Sequence, residues 1–336
     1  MIKGISIILC TFNGATRLKP TIEHLAEQEL CCDAELILVD NASTDGSASL
    51  VKEIWDQKGN PYPLVLVNES NPGLIYARTK GLCVARYEVI VFCDDDNWLQ
   101  HDYLKLTCEL FDKIPEAGLV GGLGIGVTDG DFPSGWQDST FSCNYAVGKQ
   151  MEQSGFADSR GYLWGAGLAG KKKFLKHIFN DAYPFLMVGR KGNTVLSGDD
   201  SEMCLRALLA GSHLYYDERL VYRHFIPATR LTDAYFKHLI DSFNASKEID
   251  EEYRSALFFS QLNKRDKAKQ FCVRFGNFIL HPTNPRKKVL LRYYLSYSMH
   301  LRHFVPDRYK VIFDYCKYSD WGKTTYETDR YYHQSQ

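Results

Sequence analysis

The stretch VIVFCDDDN, residues 89–97, places five apolar residues directly before three carboxylates and an asparagine. A short apolar run that ends at polar residues is typical of a buried β-strand. Three adjacent negative charges repel one another strongly unless a positive group lies among them. The stretch therefore predicts a buried strand whose carboxyl end carries a charged site with a cationic partner.

Three similar apolar runs precede this strand, and segments with helical periodicity lie between them. The predicted strands cover residues 5–10, 36–40, 64–68 and 89–93, and the predicted helices cover residues 17–29, 47–57 and 74–85. This alternation is typical of a parallel sheet covered by helices on both faces. Ligands of such sheets bind beyond the carboxyl ends of the strands, so the polar segments that follow the four strands are expected at one edge.

The spacing of Asp94 and Asp96 suggests how the charged site is built. On an extended backbone, residues two apart face the same way, so these two carboxylates would share one cation. Carboxylate oxygens suit Mg²⁺ or Mn²⁺, and a divalent metal is therefore the predicted positive partner. The alternative is a polar turn or a cap of the next helix, which would need only one of the three aspartates.

The middle of the chain predicts a strand, a loop and a further helix. Residues 118–160 are rich in glycine and polar residues, which indicates a strand followed by a long mobile loop. Trp164 either packs in the core or forms a flat platform for a sugar ring. Residues 196–211 predict a helix, and the spacing of Asp199 and Glu202 fits a capping box at its start.

Six ordered segments of the chain resemble motifs of the inverting family 2 glycosyltransferases with the GT-A fold. They are SIILCTFNG (6–14), ILVDNASTDGS (37–47), NPGLIYARTKGL (71–82), FCDDDNW (92–98), GDDSEMCLRALLAG (198–211) and YRHFIPATRLT (222–232). The resemblance covers about residues 2–240. It implies an α/β, Rossmann-like GT-A fold with a mostly parallel sheet and helices on both faces.

The resemblance also assigns roles to individual residues. It implies that the nucleotide is bound by Thr11, Asp40, Arg78, Asp94 and Asp95, that a divalent metal is bound by Asp94, Asp96 and His224, and that Asp200 is the catalytic base. The chain departs from the family pattern at two positions. Asp199 stands where glutamate is common, and Thr79 stands where asparagine is frequent.

The chemistry of sugar transfer agrees with these roles. A nucleotide-diphosphate leaving group carries at least two negative charges, which a divalent cation stabilises as they develop. A second carboxylate must remove the proton of the acceptor hydroxyl, and Asp200 is the candidate. The expected activity is metal-dependent inverting transfer of a sugar from a UDP-sugar donor to a hydroxyl group of the acceptor. The expected acceptor is a saccharide or lipid-linked saccharide in bacterial surface polysaccharide or glycolipid synthesis. The alternatives are a sugar-nucleotidyltransferase and a catalytically inactive nucleotide-sugar-binding protein.

The C-terminal part of the chain differs in character, which predicts one GT-A domain over residues 1–240 and a helical region over residues 241–336. Residues 264–310 contain twelve lysines or arginines against two aspartates, with many aromatic residues among them. A solvated helical face explains the charge but not the aromatic residues. Attachment to an anionic membrane explains both, and nucleic-acid binding fits less well because no recognised motif accompanies the charges.

Composition limits the remaining classes. The net charge is -1 and 45% of the 336 residues are hydrophobic, which argues against a protein that is basic throughout and coats nucleic acid. The ten cysteines show no CxxC or Cys/His zinc spacing, so reduced core cysteines are expected. No apolar run is long enough to predict a membrane-spanning helix. The expected location is the cytoplasm, or the inner face of the cell membrane as a peripheral protein.

Overall fold

The computed structural model of the chain describes residues 2–191 and 194–326, with side chains described outside 189–196 and 320–326. The strands are β1 Gly4–Thr11, β2 Asp33–Asp40, β3 Leu64–Asn68, β4 Val89–Asp94, β5 Asn97–Leu99, β6 Ala117–Val127, β7 Gly155–Phe156, β8 Ala169–Lys171, β9 Gly189–Lys191, β10 Thr194–Leu196 and β11 His213–Phe225. The helices are α1 Leu18–Ala26, α2 Ser47–Gln57, α3 Leu74–Val84, α4 Tyr103–Lys113, α5 Ser139–Ser142, α6 Lys172–Ile178, α7 Asp199–Leu209, α8 Asp233–Ser260, α9 Lys264–Leu280, α10 Pro285–Tyr293 and α11 Lys310–Tyr326.

Nine of these strands form one mixed sheet, in the order β3-β2-β1-β4-β8-β6-β11-β5 with β7 beside β11. The pairs β2–β3, β1–β2, β1–β4 and β6–β11 are parallel. The short strand β8 lies antiparallel between β4 and β6 and joins the two halves of the sheet. The four predicted strands and three predicted helices at the amino end of the chain are confirmed, as is the α/β fold class.

The sheet is covered on both faces, and β1 shows why. All eight residues of β1 are buried, because alternate side chains enter different cores. Ile7 and Leu9 belong to one core cluster, together with residues of α1, α2 and α4. Ile8 and Cys10 belong to the other, together with residues of α3, α6 and α7. Each fully buried aliphatic side chain contributes about 1.5–3 kcal/mol to folding.

The segment that follows β6 carries structure of its own. It contains α5 and an isolated bridge between Gly124 and Gly148. Trp136 and Tyr145 are buried in a small aromatic cluster that also includes Phe236 of α8. The strand predicted here is confirmed as β6, and the loop after it packs against α8. Its mobility stays a prediction.

Helices α8 to α11 form the C-terminal region, as predicted. Their shared core includes Tyr253 and Phe313, and it continues onto Leu205 and Leu209 of α7. Residue 240, the predicted boundary, lies inside α8, which runs unbroken from Asp233 to Ser260. Within the described residues, every helix is too short or too polar to cross a membrane.

Candidate functional site

A cavity of about 730 Å³ lies at the carboxyl edge of the parallel strands. The segments after β1, β2 and β4 meet there with the amino ends of α3 and α7 and the carboxyl end of β11. The polar and charged side chains on its wall are Thr11, Arg17, Asn41, Asp94, Asp95, Asp96, Asn144, Tyr145, Ser197, Asp199, His224, Arg230 and Tyr235. The expectation that these polar segments share one edge is confirmed.

Each of the three adjacent aspartates has a basic partner of its own. The nearest atom pairs are Arg78 Nη2 and Asp94 Oδ1 at 3.3 Å, Arg17 Nε and Asp95 Oδ1 at 2.6 Å, and Arg230 Nη1 and Asp96 Oδ2 at 3.3 Å. The protein therefore supplies three cations to a cluster for which the sequence suggested one metal. Sequence reasoning missed Arg17 and Arg230, although both lie inside or beside quoted motifs. No spacing rule connects either arginine with the aspartates.

The argument that placed Asp94 and Asp96 on one face of a strand is wrong. Strand β4 ends at Asp94, and Asp95 and Asp96 form a turn that leads into β5 at Asn97. Both carboxylates nevertheless line the cavity, because the turn lies at its wall. Their common location thus comes from the turn and not from strand alternation.

Asp95 is held from two directions. Thr11 donates from Oγ1 to Asp95 Oδ2 at 2.6 Å, and Arg17 donates to both carboxylate oxygens. Burial raises the pKa of Asp95, the neighbouring Asp96 raises it further, and Arg17 opposes both effects. Asp95 therefore fixes the loop after β1 against the turn after β4.

His224 lies beside Asp96 in an orientation that suits a metal ligand. Its Nδ1 is 2.7 Å from the carbonyl oxygen of Tyr145, so Nδ1 carries a proton and donates it. Its Nε2 lies 3.7 Å from Asp96 Oδ1. Burial disfavours the charged imidazole, but Asp96 outweighs burial and raises the pKa of His224. Burial also disfavours the charged carboxylate of Asp96. The positive charges of His224 and Arg230 outweigh the effect of burial and lower the pKa of Asp96 to about 2.

The predicted metal ligands have suitable donor atoms but are not drawn together. Asp94, Asp96 and His224 do not place one ligand atom each within 4.8 Å of one another. A histidine whose Nδ1 donates to a carbonyl is a common metal ligand through Nε2, and carboxylate oxygens suit Mg²⁺ or Mn²⁺. These residues fit a divalent metal in kind. Asp96 Oδ1 already lies 3.7 Å from His224 Nε2, whereas Asp96 Oδ2 faces Arg230 and Asp94 Oδ1 faces Arg78.

Arg78 connects the aspartate cluster with the start of α7. Its side chain is 2% exposed and donates to Asp199 Oδ2 at 2.8 Å and to Asp94 Oδ1 at 3.3 Å. Arg78 is not among the residues that line the cavity. Any support it gives to a nucleotide therefore acts through these two carboxylates, which it positions and neutralises.

The capping box predicted at the start of α7 is wrong. The N-cap is Gly198, at φ 114°, and it makes no side-chain cap. Asp199 turns instead to Arg78. Glu202 is fully buried, and its carboxylate accepts hydrogen bonds from the backbone N–H groups of Leu186 and Met187.

Asp200 lies within the first turn of α7, against the WGAG segment. Its Oδ1 accepts the N–H of Ser201 at 2.8 Å, and its Oδ2 accepts the N–H of Gly165 at 3.2 Å. Burial and then the charge of Asp199 raise the pKa of Asp200 to about 6. Asp199 lines the cavity, whereas Asp200 is not among the lining residues.

The remaining predicted residues differ in how close they come to the cavity. Thr11 lines it, but Asp40 does not, and Asp40 Oδ1 instead accepts the N–H of Ser43. Asn41, which sequence reasoning missed, lines the cavity and is fixed by hydrogen bonds that include Gly73 N–H to its Oδ1. Trp164 is buried in the core, which favours its packing role over a sugar platform.

Comparison with known proteins identifies relatives of the chain. The family model for glycosyl transferase family 2 matches residues 6–179, a segment that ends before Asp200 and His224. The cholesterol galactosyltransferase of Borreliella burgdorferi is 34% identical over 103 residues, which are 30% of this chain and 27% of that protein. The glucosyl-dolichyl phosphate glucuronosyltransferase of Haloferax volcanii is 22% identical over 228 residues, 66% of this chain and 68% of that protein.

Among solved structures, S. aureus TarS 1-349 in complex with UDP is similar over 98% of this chain and 93% of that chain. The two are 13% identical, with a TM-score of 0.47. The aligned part of the Borreliella relative is only about a quarter of its length. The family model, in contrast, matches more than half of the 336 residues. The chain belongs to glycosyl transferase family 2.

Proposed function

We propose that the protein is a metal-dependent inverting glycosyltransferase that moves a sugar from a nucleotide-diphosphate donor to a hydroxyl acceptor. One observation carries the proposal. The same cavity is lined by the three carboxylates of Asp94, Asp95 and Asp96 at the end of β4 and by Asp199 at the start of α7, beside Asp200. Family membership supports sugar transfer and argues against the alternative of a sugar-nucleotidyltransferase.

The donor would occupy the part of the cavity next to β1 and β2. Thr11 and Asn41 line this part, and Asp40 lies at the adjacent end of β2. We propose that these residues contact the base and ribose, with UDP as the nucleotide. Arg17 and Arg230 also line the cavity, with side chains 24% and 26% exposed, and their charge suits a diphosphate.

The metal ligands proposed are Asp94, Asp96 and His224, and the metal is Mg²⁺ or Mn²⁺. The side chain of Asp94 is 31% exposed and faces the cavity, so it is accessible to a cation. When bound, the metal would neutralise charge on the departing diphosphate. The positive charges of Arg17 and Arg230 would add to this stabilisation from the protein itself.

Asp200 is the proposed base for the acceptor hydroxyl. A carboxylate with a pKa of about 6 is a stronger base than an ordinary aspartate and is still ionised at neutral pH. Abstraction of the hydroxyl proton would make the acceptor oxygen nucleophilic as the nucleotide leaves. Attack from the face opposite the leaving group inverts the anomeric carbon in a single displacement.

The acceptor is proposed to be a saccharide or a lipid-linked saccharide of a bacterial surface polysaccharide or glycolipid, at the inner face of the cell membrane. Helix α9 supports a membrane location. Phe271, Phe275 and Ile279 lie four residues apart, so they form one stripe, and they are 42%, 42% and 60% exposed. Lys264 and Lys267 lie seven and four residues before Phe271, so they continue the same side of the helix. An exposed apolar stripe with a basic flank is typical of helices that lie on anionic membranes.

Calorimetry with UDP, GDP and dTDP, each with Mn²⁺ or with a chelator, tests the donor and the metal together. We expect metal-dependent binding of UDP, and Asp96→Asn should abolish the metal dependence. Asp56→Asn, on α2 and away from the cavity, is the matched control and should bind normally. Equal binding with the chelator would refute the metal site. A protein that binds these nucleotides but neither hydrolyses nor transfers a sugar would be the inactive alternative.

A further inference from the structure

Three cysteine thiols meet at the edge of the sheet opposite the candidate active site. Cys31 and Cys32 lie in the loop between α1 and β2, and Cys108 lies in α4. The sulfurs of Cys32 and Cys108 are 3.4 Å apart. All three sulfurs lie within 4.8 Å of one another. Among the described residues, this is the one group of three histidine, cysteine or acidic side chains whose ligand atoms come so close together.

The cluster is independent of the proposed transfer reaction. Cys32 directly precedes Asp33, the first residue of β2, whereas the cavity lies beyond the carboxyl end of that strand at Asp40. The length of β2 therefore separates the thiols from the aspartate cluster. Sugar transfer does not require thiols there, so the cluster calls for a different explanation.

The distances suit a thiophilic cation. In a tetrahedral site with Zn–S bonds of about 2.3 Å, neighbouring sulfurs are about 3.8 Å apart, which falls within the spread seen here. Thiolates select Zn²⁺ and similar soft ions over Mg²⁺ or Ca²⁺. Cys31 is exposed and Cys108 is buried, so an ion could enter from solvent past Cys31 and bind the inner sulfurs.

An ion pair holds the two segments of the cluster together. Lys105 of α4 pairs with Glu29, two residues before Cys31. The pair ties α4 to the loop that carries Cys31 and Cys32, so the three sulfurs lie near one another while no ion is bound.

We propose that Cys31, Cys32 and Cys108 bind a thiophilic divalent cation, with Zn²⁺ as the natural ion, and that this ion fastens the α1–β2 loop to α4. Binding converts three S–H groups into three sulfur–metal bonds and releases three protons to solvent. A water molecule would complete the tetrahedron on the exposed side. The competing chemistry is a disulfide between Cys32 and Cys108, which needs an external oxidant and does not use Cys31.

Cd²⁺ is a suitable probe, because thiolate-to-Cd²⁺ charge transfer absorbs in the ultraviolet. Reduced, metal-free, full-length protein should bind one equivalent of Cd²⁺ tightly, and Zn²⁺ should compete for the site and raise the melting temperature. Cys31→Ser removes an exposed ligand, so the variant should fold. Its Cd²⁺ affinity should fall more than about 100-fold, because loss of a residue that only contacts a ligand already costs about 10–100-fold. Cys108→Ser should lose the absorption.

Cys272→Ser, at an exposed cysteine of α9, is the matched control and should behave like the parent protein. Unchanged Cd²⁺ absorption in both Cys31→Ser and Cys108→Ser would overturn the proposal. A disulfide between Cys32 and Cys108 would also overturn the proposal. It would lower the mass of protein purified without reductant by two hydrogens, both in the parent and in Cys31→Ser, and that protein would bind no metal. Nucleotide binding measured on the same preparations keeps the outcome separate from the proposed transferase activity.

Discussion

Arg78 Nη1 lies 2.8 Å from Asp199 Oδ2, and the same buried guanidinium reaches Asp94 at 3.3 Å. One cation thus joins α3, the end of β4 and the start of α7. Burial alone would lower the pKa of Arg78, but Asp94 and then Asp199 outweigh burial and raise it. The two carboxylates are held together because this charge lies between them.

Removal of Arg78 should therefore destabilise the protein strongly. Arg78→Met leaves two carboxylates without their shared cation, and loss of one partner of a buried ion pair costs about 3–5 kcal/mol. Urea denaturation measures the change in the free energy of unfolding. Arg308→Met is the control, because Arg308 and Glu248 are 66% and 67% exposed in their ion pair, and its loss should cost at most about 1 kcal/mol. Similar small losses for both variants would contradict the bridging role.

Asp200→Asn should damage the chemical step and spare donor binding. The amide keeps the size of the side chain but cannot accept the acceptor proton, so turnover should fall about 10²–10⁴-fold. Single-turnover rates, donor affinity and melting temperature are measured on one preparation. Asp199→Asn is the comparison, and we expect weaker pairing with Arg78 and a lower melting temperature. A well-folded Asp200→Asn variant with near-normal turnover would rule out Asp200 and move the search to Asp199.

The pH dependence of turnover should follow the titration of Asp200. Its pKa is raised to about 6, so the carboxyl is protonated and inactive as a base below that pH. Turnover at saturating donor should rise with pH up to about 6 and level off above it, as for a single essential base. Asp199 and Arg78 are the charged neighbours that set this pKa. In Asp200→Asn, the residual rate should no longer rise with pH below about 6. If that rise persists in the variant, the titrating group is a residue other than Asp200.

Binding to anionic vesicles should depend on the apolar stripe and on the basic flank of α9. We expect Phe271→Ser/Phe275→Ser/Ile279→Ser to weaken sedimentation with anionic vesicles by more than about tenfold, since each buried apolar side chain contributes about 1.5–3 kcal/mol. Leu66→Ser/Val84→Ser is the control, because these residues are 46% and 43% exposed but lie outside the basic region.

Salt provides a second test of the same surface. Exposed charges are screened within about 8 Å at physiological ionic strength, so binding of the parent protein should weaken as salt rises. Lys264→Gln/Lys267→Gln should reduce both the binding at low salt and its salt dependence. A parent protein that ignores anionic vesicles at low salt would remove the membrane role of α9.

The sequence by itself determined the elements of the fold and the edge at which the chemistry gathers. Strands and helices of the first hundred residues follow from local periodicity, since β1 alternates into two cores and is therefore mostly apolar. The carboxyl-edge rule then brought Thr11, Asp94 and Asp96 to one cavity wall, because parallel strands end on the same side, whereas the family resemblance alone assigned His224 to the site. These conclusions need only the order of residues along each element.

Tertiary structure decided which groups pair. Arg17 and Arg230 bind Asp95 and Asp96 across 78 and 134 residues, and Asp199 turns to Arg78 in place of a cap. Cys108 meets Cys32 across 76 residues in the same way. Charge pairing and thiol contact depend on distances of a few ångströms between side chains from different elements. Those distances are fixed by the packing of helices and loops on the sheet, which local sequence patterns do not encode.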